Sequence, residues 1–251
     1  MQEERIFFGS VGADSLQLEG VVHLPALEAS PRPAVVVCHP HSLHGGSADV
    51  PVIVATAREL ARRGMLALRF NFRGVGGSEG SFGEGVAEVA DVAGAVEHLV
   101  TRDGVDGERL YLMGYSFGAS VGLRHVETDP RIRAIAALCL PLGPTTIGSL
   151  DEDFWRSYAR PKLFLAGDRD DICPLSELRP MVDGLPDPKK LIVLDGADHF
   201  LWGREQEVAN YIADFLVEVS LSRSGTMTQC VSEQREGVDH GRKTKAGEIP
   251  P

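Results

Sequence analysis

The five residues Gly114-Tyr115-Ser116-Phe117-Gly118 follow the β-rich run Arg109-Leu110-Tyr111-Leu112-Met113 and have the spacing of a strand-to-helix elbow that presents a serine. A serine hydroxyl is a poor nucleophile at neutral pH. It needs a general base within reach and backbone donors for the charge that builds on the attacked oxygen. A sharp turn exposes Oγ to both and demands very small residues two positions either side, where strand and helix backbones nearly touch. Glycine stands at both places. The base in turn needs a carboxylate to hold its tautomer, and on an open parallel sheet the order is serine, acid, histidine, each at the C-terminal end of its own strand. The run Lys162 to Ala166 leads into Gly167-Asp168-Arg169-Asp170-Asp171-Ile172-Cys173-Pro174, and Lys190 to Leu194 leads into Asp195-Gly196-Ala197-Asp198-His199-Phe200. Of eight histidines, only His199 sits between the last strand and the last helix. Asp168, Asp170 and Asp171 all qualify as the acid by position, with one of the others free to cap the following helix.

These residues need a scaffold, and the rest of the chain predicts one. Apolar runs of strand length alternate with amphipathic stretches of helix length, the pattern of a mostly parallel sheet covered on both faces. Eight strands are expected near Ile6 to Ser10, Gln17 to Leu24, Ala34 to Cys38, Leu66 to Phe72, Leu110 to Tyr115, Ile132 to Leu140, Lys162 to Ala166 and Leu191 to Leu194, the first two pairing antiparallel. Helices are expected near Pro51 to Arg63, Glu84 to Arg102, Phe117 to Glu127, Leu175 to Asp183 and Glu205 to Leu221. Residues 1–221 thus form one α/β domain. Residues 222–251 are polar, lack an apolar period and read as a disordered tail.

Composition removes several classes of function. A chain of 251 residues, 43% hydrophobic and 24% charged, is long enough to bury a full core. A net charge of -11, with no basic run to offset it, argues against nucleic acid or an anionic membrane as partner. The charged start Met1 to Arg5 precedes no long apolar stretch, so the expected location is cytoplasmic. Cys38, Cys139, Cys173 and Cys230 are too dispersed for a zinc site or a disulfide framework, and Cys38 and Cys139 lie in apolar runs as small buried hydrophobes. No cofactor motif is present: the glycine cluster Gly74 to Gly80 puts Glu79 where a dinucleotide loop needs its third glycine. Arg73 is expected to be held in local hydrogen bonds rather than to bind phosphate. The sequence leaves homodimerisation open.

The second oxyanion donor should come from the loop after the strand beside the elbow strand. That loop is His39-Pro40-His41-Ser42-Leu43-His44-Gly45-Gly46-Ser47. Three histidines in six residues invite a metal reading, but no carboxylate or cysteine shares their spacing, and none is assigned. Phe117 N–H is the expected first donor and His41 N–H the second.

Three strings together carry a family resemblance: Cys38-His39-Pro40-His41-Ser42-Leu43-His44-Gly45-Gly46, Arg69-Phe70-Asn71-Phe72-Arg73-Gly74-Val75-Gly76-Gly77-Ser78-Glu79-Gly80, and the elbow. From about Val21 to Leu216 the chain resembles the small α/β-hydrolases of the dienelactone-hydrolase and serine-aminopeptidase-like superfamily. In that family a turn of the form Gly-x-x-Asp-x-x-x-Pro carries the acid, which Gly167, Asp170 and Pro174 match, so the resemblance selects Asp170. Relatives commonly carry proline where Ser42 stands, a departure inside the oxyanion loop. Dienelactone hydrolases proper use cysteine at the elbow, so Ser116 implies general ester chemistry.

Only Pro141 to Pro161 separates the sixth strand from the seventh, room for a minimal cap. Phe154, Trp155 and Tyr158 there either line a pocket or pack the cap down, and Trp202, three residues past His199, is in the same position. Ser42 and Tyr115 are further candidates for the pocket wall. The expected activity is a serine esterase on small or short-chain esters. A peptidase or amidase on the same residues is the alternative, and a non-catalytic binding module of the same fold stands third.

Overall fold

In the computed structural model, which describes residues 2–12, 15–26, 30–143 and 150–232, eight strands form one sheet. They are β1 (Gln2–Gly9), β2 (Gln17–Leu24), β3 (Arg32–Cys38), β4 (Leu66–Phe70), β5 (Val105–Tyr115), β6 (Ile132–Leu138), β7 (Lys162–Gly167) and β8 (Lys189–Leu194). Their spatial order is β1-β2-β4-β3-β5-β6-β7-β8. β1 and β2 pair antiparallel, β2 meets β4 antiparallel, and every pair from β4 to β8 is parallel. The order turns back at β3 and β5, so the crevice beyond their carboxyl ends is the place where an open α/β sheet binds ligands.

Six helices cover the sheet: α1 (Pro51–Arg62), α2 (Glu88–Val100), α3 (Phe117–Val126), α4 (Glu152–Ser157), α5 (Leu175–Asp183) and α6 (Glu205–Ser232). Because side chains alternate across a strand, β3 sends Val35 and Val37 to one face and Ala34, Val36 and Cys38 to the other. The first face packs on α1 and α6 through residues such as Ile53, Leu60, Ile212 and Leu216. The second packs on α2, α3 and α5 through Val92, Val96, Val121, Leu178 and Val182. Burying each such aliphatic side chain contributes roughly 1.5–3 kcal/mol before conformational entropy is counted. The strands beside the site are therefore held from both faces.

Several element ends differ from expectation for local reasons. α2 begins at Glu88 rather than Glu84, because Glu84 and Gly85 sit at φ of 58° and 75°. β4 stops at Phe70: Asn71 N–H still donates to Glu19 O of β2, but Phe72 N–H turns to the His39 ring. β6 ends at Leu138, where Cys139 adopts φ 47°. α6 continues past Leu221 to Ser232, through a stretch that holds no proline, so the polar tail's first residues extend the helix. Residues 233–251 lie outside the described residues. Among the described residues no helix is long and apolar enough to cross a membrane.

Candidate active site

The elbow forms because glycine alone fits at its two ends. A Cβ on Gly114 would lie 2.3 Å from Gly118 O, and one on Gly118 would lie 2.5 Å from both Cys38 O and His39 O. The second contact also seats the base of the His39–Ser47 loop directly on the elbow. Between the glycines Ser116 takes φ 53° and ψ −118°, a conformation costly for any residue with a side chain and one that accompanies functional sites. Its N–H is tied to Leu138 O of β6 at 2.8 Å, which fixes the turn against the sheet.

Ser116 Oγ lies 2.8 Å from His199 Nε2, and His199 Nδ1 lies 2.9 Å from both carboxylate oxygens of Asp170. All three side chains are buried or nearly so. An ionised carboxylate only accepts, so Nδ1 carries the imidazole proton and Nε2 faces the serine with a lone pair. Asp170 Oδ1 also accepts from Ile172 N–H at 2.9 Å and Cys173 N–H at 2.8 Å. Burial pushes the Asp170 carboxyl up, but the His199 hydrogen bond and charge, the Cys173 N–H and the Cys139 thiol outweigh it and leave it below the ordinary carboxylate range. Asp168 and Asp171 play other parts. Asp168 accepts from Gly196 N–H at 2.7 Å and so laces the acid loop to the histidine loop, while Asp171 is exposed.

The histidine loop is held at several points. Asp198 accepts from Phe200 N–H at 2.9 Å, closing the turn around His199. Tyr115, next to the serine in sequence, donates its hydroxyl to the His199 carbonyl at 2.6 Å. Tyr115 thus lines the cleft as expected and also fixes the backbone that carries the imidazole.

Cys139 has a part that sequence reading missed. Its thiol, beyond the end of β6, lies beside the Asp170 carboxylate, the ligand atoms within 4.8 Å, and helps to lower that carboxyl. Cys139, Asp170 and His199 are the one trio of metal-ligand types that converges among the described residues, their ligand atoms all within 4.8 Å of one another. Burial and the charge of Asp170 push the thiol well above its ordinary range, so it faces the carboxylate as an S–H donor and not as a thiolate ligand. No spacing in the sequence marks this contact, which arises only because β6 and β7 are neighbours.

The rings of His41 and Phe117 lie 5.0 Å apart and both residues line the cleft. The Phe117 N–H opens α3 and has no intrahelical acceptor. The His39–Ser47 loop is shaped by His39, whose buried ring contacts Pro40 O at 2.6 Å through Nδ1 and accepts from Phe72 N–H at 3.0 Å through Nε2. Burial brings that imidazole down to about 4, so it is neutral at pH 7. Arg73 is bound to the buried Asp91 carboxylate, with contacts of 2.7–3.1 Å.

A cleft of about 1010 Å³ opens in front of Ser116, lined by the His41 loop, the start of α1, Ile172 and the segment Phe200 to Glu205. Trp202 stands on its rim, 72% exposed. Four expected wall residues are elsewhere. Trp155 is 5% exposed and packs in the core, with its indole N–H on Glu127 Oε1 at 2.7 Å. Phe154 packs against the same core, and Tyr158 is buried in it, so the cap's aromatics hold α4 down. Ser42 belongs to a 3-10 turn over Ser42–His44, where residues three apart share a face, so His41 and His44 line the cleft and Ser42 turns away with its hydroxyl buried. Of the cap, residues 144–149 lie outside the described residues, and the remainder is a loop and the short α4.

Comparison with known proteins agrees with this arrangement. Residues 32–214 match the family model described as an alpha/beta hydrolase domain. An uncharacterized protein of Rickettsia prowazekii is 32% identical over 74% of this chain and 79% of its own length. A cutinase of Thermobifida alba is 30% identical over 42% of this chain and 36% of its own length. Among solved structures, an α/β serine hydrolase without a lid from Xanthomonas campestris superposes with a TM-score of 0.67 at 27% identity, covering 84% of this chain and 95% of that one. With its eight-stranded sheet, glycine-flanked elbow serine and minimal cap, the chain belongs to the α/β-hydrolase family.

Proposed function

We propose that the protein is a serine hydrolase that cleaves small or short-chain carboxylic esters through an acyl-enzyme. The observation that carries this reading is the unbroken line from Ser116 Oγ through His199 to Asp170 at the floor of an open cleft. In it, His199 Nε2 takes the serine proton as Oγ attacks the ester carbonyl, and Asp170 stabilises the imidazolium that forms. The backbone N–H groups of Phe117 and His41 receive the developing oxyanion. His199 then gives its proton to the departing alcohol, and water, deprotonated by the same imidazole, releases the acid from Ser116.

Ester rather than amide chemistry is favoured by the minimal cap and by the partial likeness to a cutinase. The test is hydrolysis of p-nitrophenyl esters from acetate to palmitate beside Ser116→Ala. Activity that peaks at short acyl chains and vanishes in the variant is expected. A preference for long chains would overturn the substrate class, and turnover that survives in Ser116→Ala would overturn the mechanism.

A further inference from the structure

The cleft carries charge of one sign. Its wall consists of apolar side chains, backbone, imidazoles and the hydroxyls of Ser47, Tyr115, Ser116 and Ser120, and the carboxylates on it are Asp49 and Glu205, with no lysine or arginine among the described lining residues. Two arginines next to these carboxylates in sequence or by contact are already paired. Arg69 holds Asp49 at 2.5 Å, and Arg204 grips Glu207 and the Asp195 carbonyl. Glu205 differs from Asp49: it accepts from Gly203 N–H at 3.1 Å and has no cationic partner among the described residues. Ile172, Phe200 and Trp202, also on the lining, are 46%, 61% and 72% exposed. A carboxylate on the substrate would lose water against this apolar rim and find a like charge instead of a partner.

We infer that the cleft selects esters whose acyl and alcohol parts are uncharged or cationic and rejects esters that bear a carboxylate, with Glu205 setting the sign. The inference rests on the serine-hydrolase reading and adds the substrate's charge class to it. The chain's net charge of -11 acts in the same direction on approach, as a field that repels anions and weakens with salt.

The test uses three p-nitrophenyl esters of matched length, the hexanoate, the hydrogen adipate and the 6-(trimethylammonio)hexanoate. The assay runs at pH 8, where ordinary imidazoles are neutral. In the wild type, kcat/KM for the adipate should fall about 30-fold or more below the hexanoate, and the ammonium ester should stay within about threefold of it or exceed it. Glu205→Lys should raise the adipate-to-hexanoate ratio about tenfold, and Glu205→Gln by an intermediate factor. An adipate rate within about threefold of the hexanoate in the wild type, or a ratio that Glu205→Lys leaves unmoved, would overturn the inference. Absence of Ser116-dependent turnover on all three esters would instead remove the hydrolase reading on which it stands.

Discussion

Replacing Asp170 with asparagine tests the proposed chemistry through a single atom. In the native site Oδ1 already accepts the Ile172 and Cys173 N–H groups at 2.9 and 2.8 Å, so the new amide must put its carbonyl there. Its NH2 then occupies the Oδ2 position, 2.9 Å from His199 Nδ1. Oδ1, also 2.9 Å from Nδ1, already takes two N–H donors, so the NH2 at the Oδ2 position favours Nδ1 as acceptor, which moves the imidazole proton to Nε2, facing Ser116 Oγ. The base is then present, correctly placed, and in the wrong tautomer. On the proposed mechanism kcat/KM should drop by roughly 10³–10⁴, about 4–5.5 kcal/mol of transition-state stabilisation. The fold should survive, since the volume is unchanged and the two backbone N–H groups keep their acceptor. The assay is p-nitrophenyl butyrate hydrolysis at pH 7–8, with thermal unfolding in parallel. Activity within about tenfold of wild type in a folded Asp170→Asn protein would refute the tautomer argument and move the acid role to another residue.

Other expectations follow from the same contacts. Cys139→Ala removes the thiol donor from Asp170 and should lower kcat/KM about fivefold, whereas Cys173→Ser, whose backbone N–H does the bonding, should stay within about twofold; equal effects of the two would sink the distinction. Gly118→Ala drives a Cβ into two carbonyl oxygens at 2.5 Å, so calorimetry should show a loss of about 3 kcal/mol, or roughly 6–12 °C in Tm. His23 and His39 are buried, and burial brings both imidazoles down to about 4, aided at His23 by Arg69. The unfolded chain therefore binds protons that the folded one refuses, so their contribution is complete above about pH 6.5 and is lost as pH falls towards 4. Denaturant unfolding should lose about 3 kcal/mol per imidazole across that window, and His39→Gln should remove part of the slope; a flat profile between pH 6.5 and 4 would contradict the assignment.

Much of the site was legible because its demands are local. The glycine spacing of the elbow is a pattern of five consecutive residues, although the backbone that Gly118 abuts is that of Cys38 and His39, and the acid and histidine loops each follow a strand that announces itself as an apolar run. What was not legible depends on which strands become neighbours. Cys139 looked like one more buried hydrophobe, and its contact with Asp170 exists because β6 pairs with β7. The Tyr115 hydroxyl reaches His199 O across 84 positions of sequence. Trp155 and Phe154 had the same composition whether they lined a wall or packed a cap, and only the Glu127 acceptor and the core beneath α4 decide between them. The choice among Asp168, Asp170 and Asp171 needed a family turn pattern, because three acids in four positions are equivalent until the N–H groups of Ile172 and Cys173 point at one of them.

The central claim is that Ser116 is the nucleophile and that His199 makes it one. It is tested most directly by treating the protein with a fluorophosphonate at neutral pH and locating the adduct by peptide mass spectrometry. The account predicts one phosphonylated site, Ser116, absent in Ser116→Ala and formed at least about 100-fold more slowly in His199→Ala. An unlabelled protein, or a label on another residue with Ser116 untouched, would contradict it.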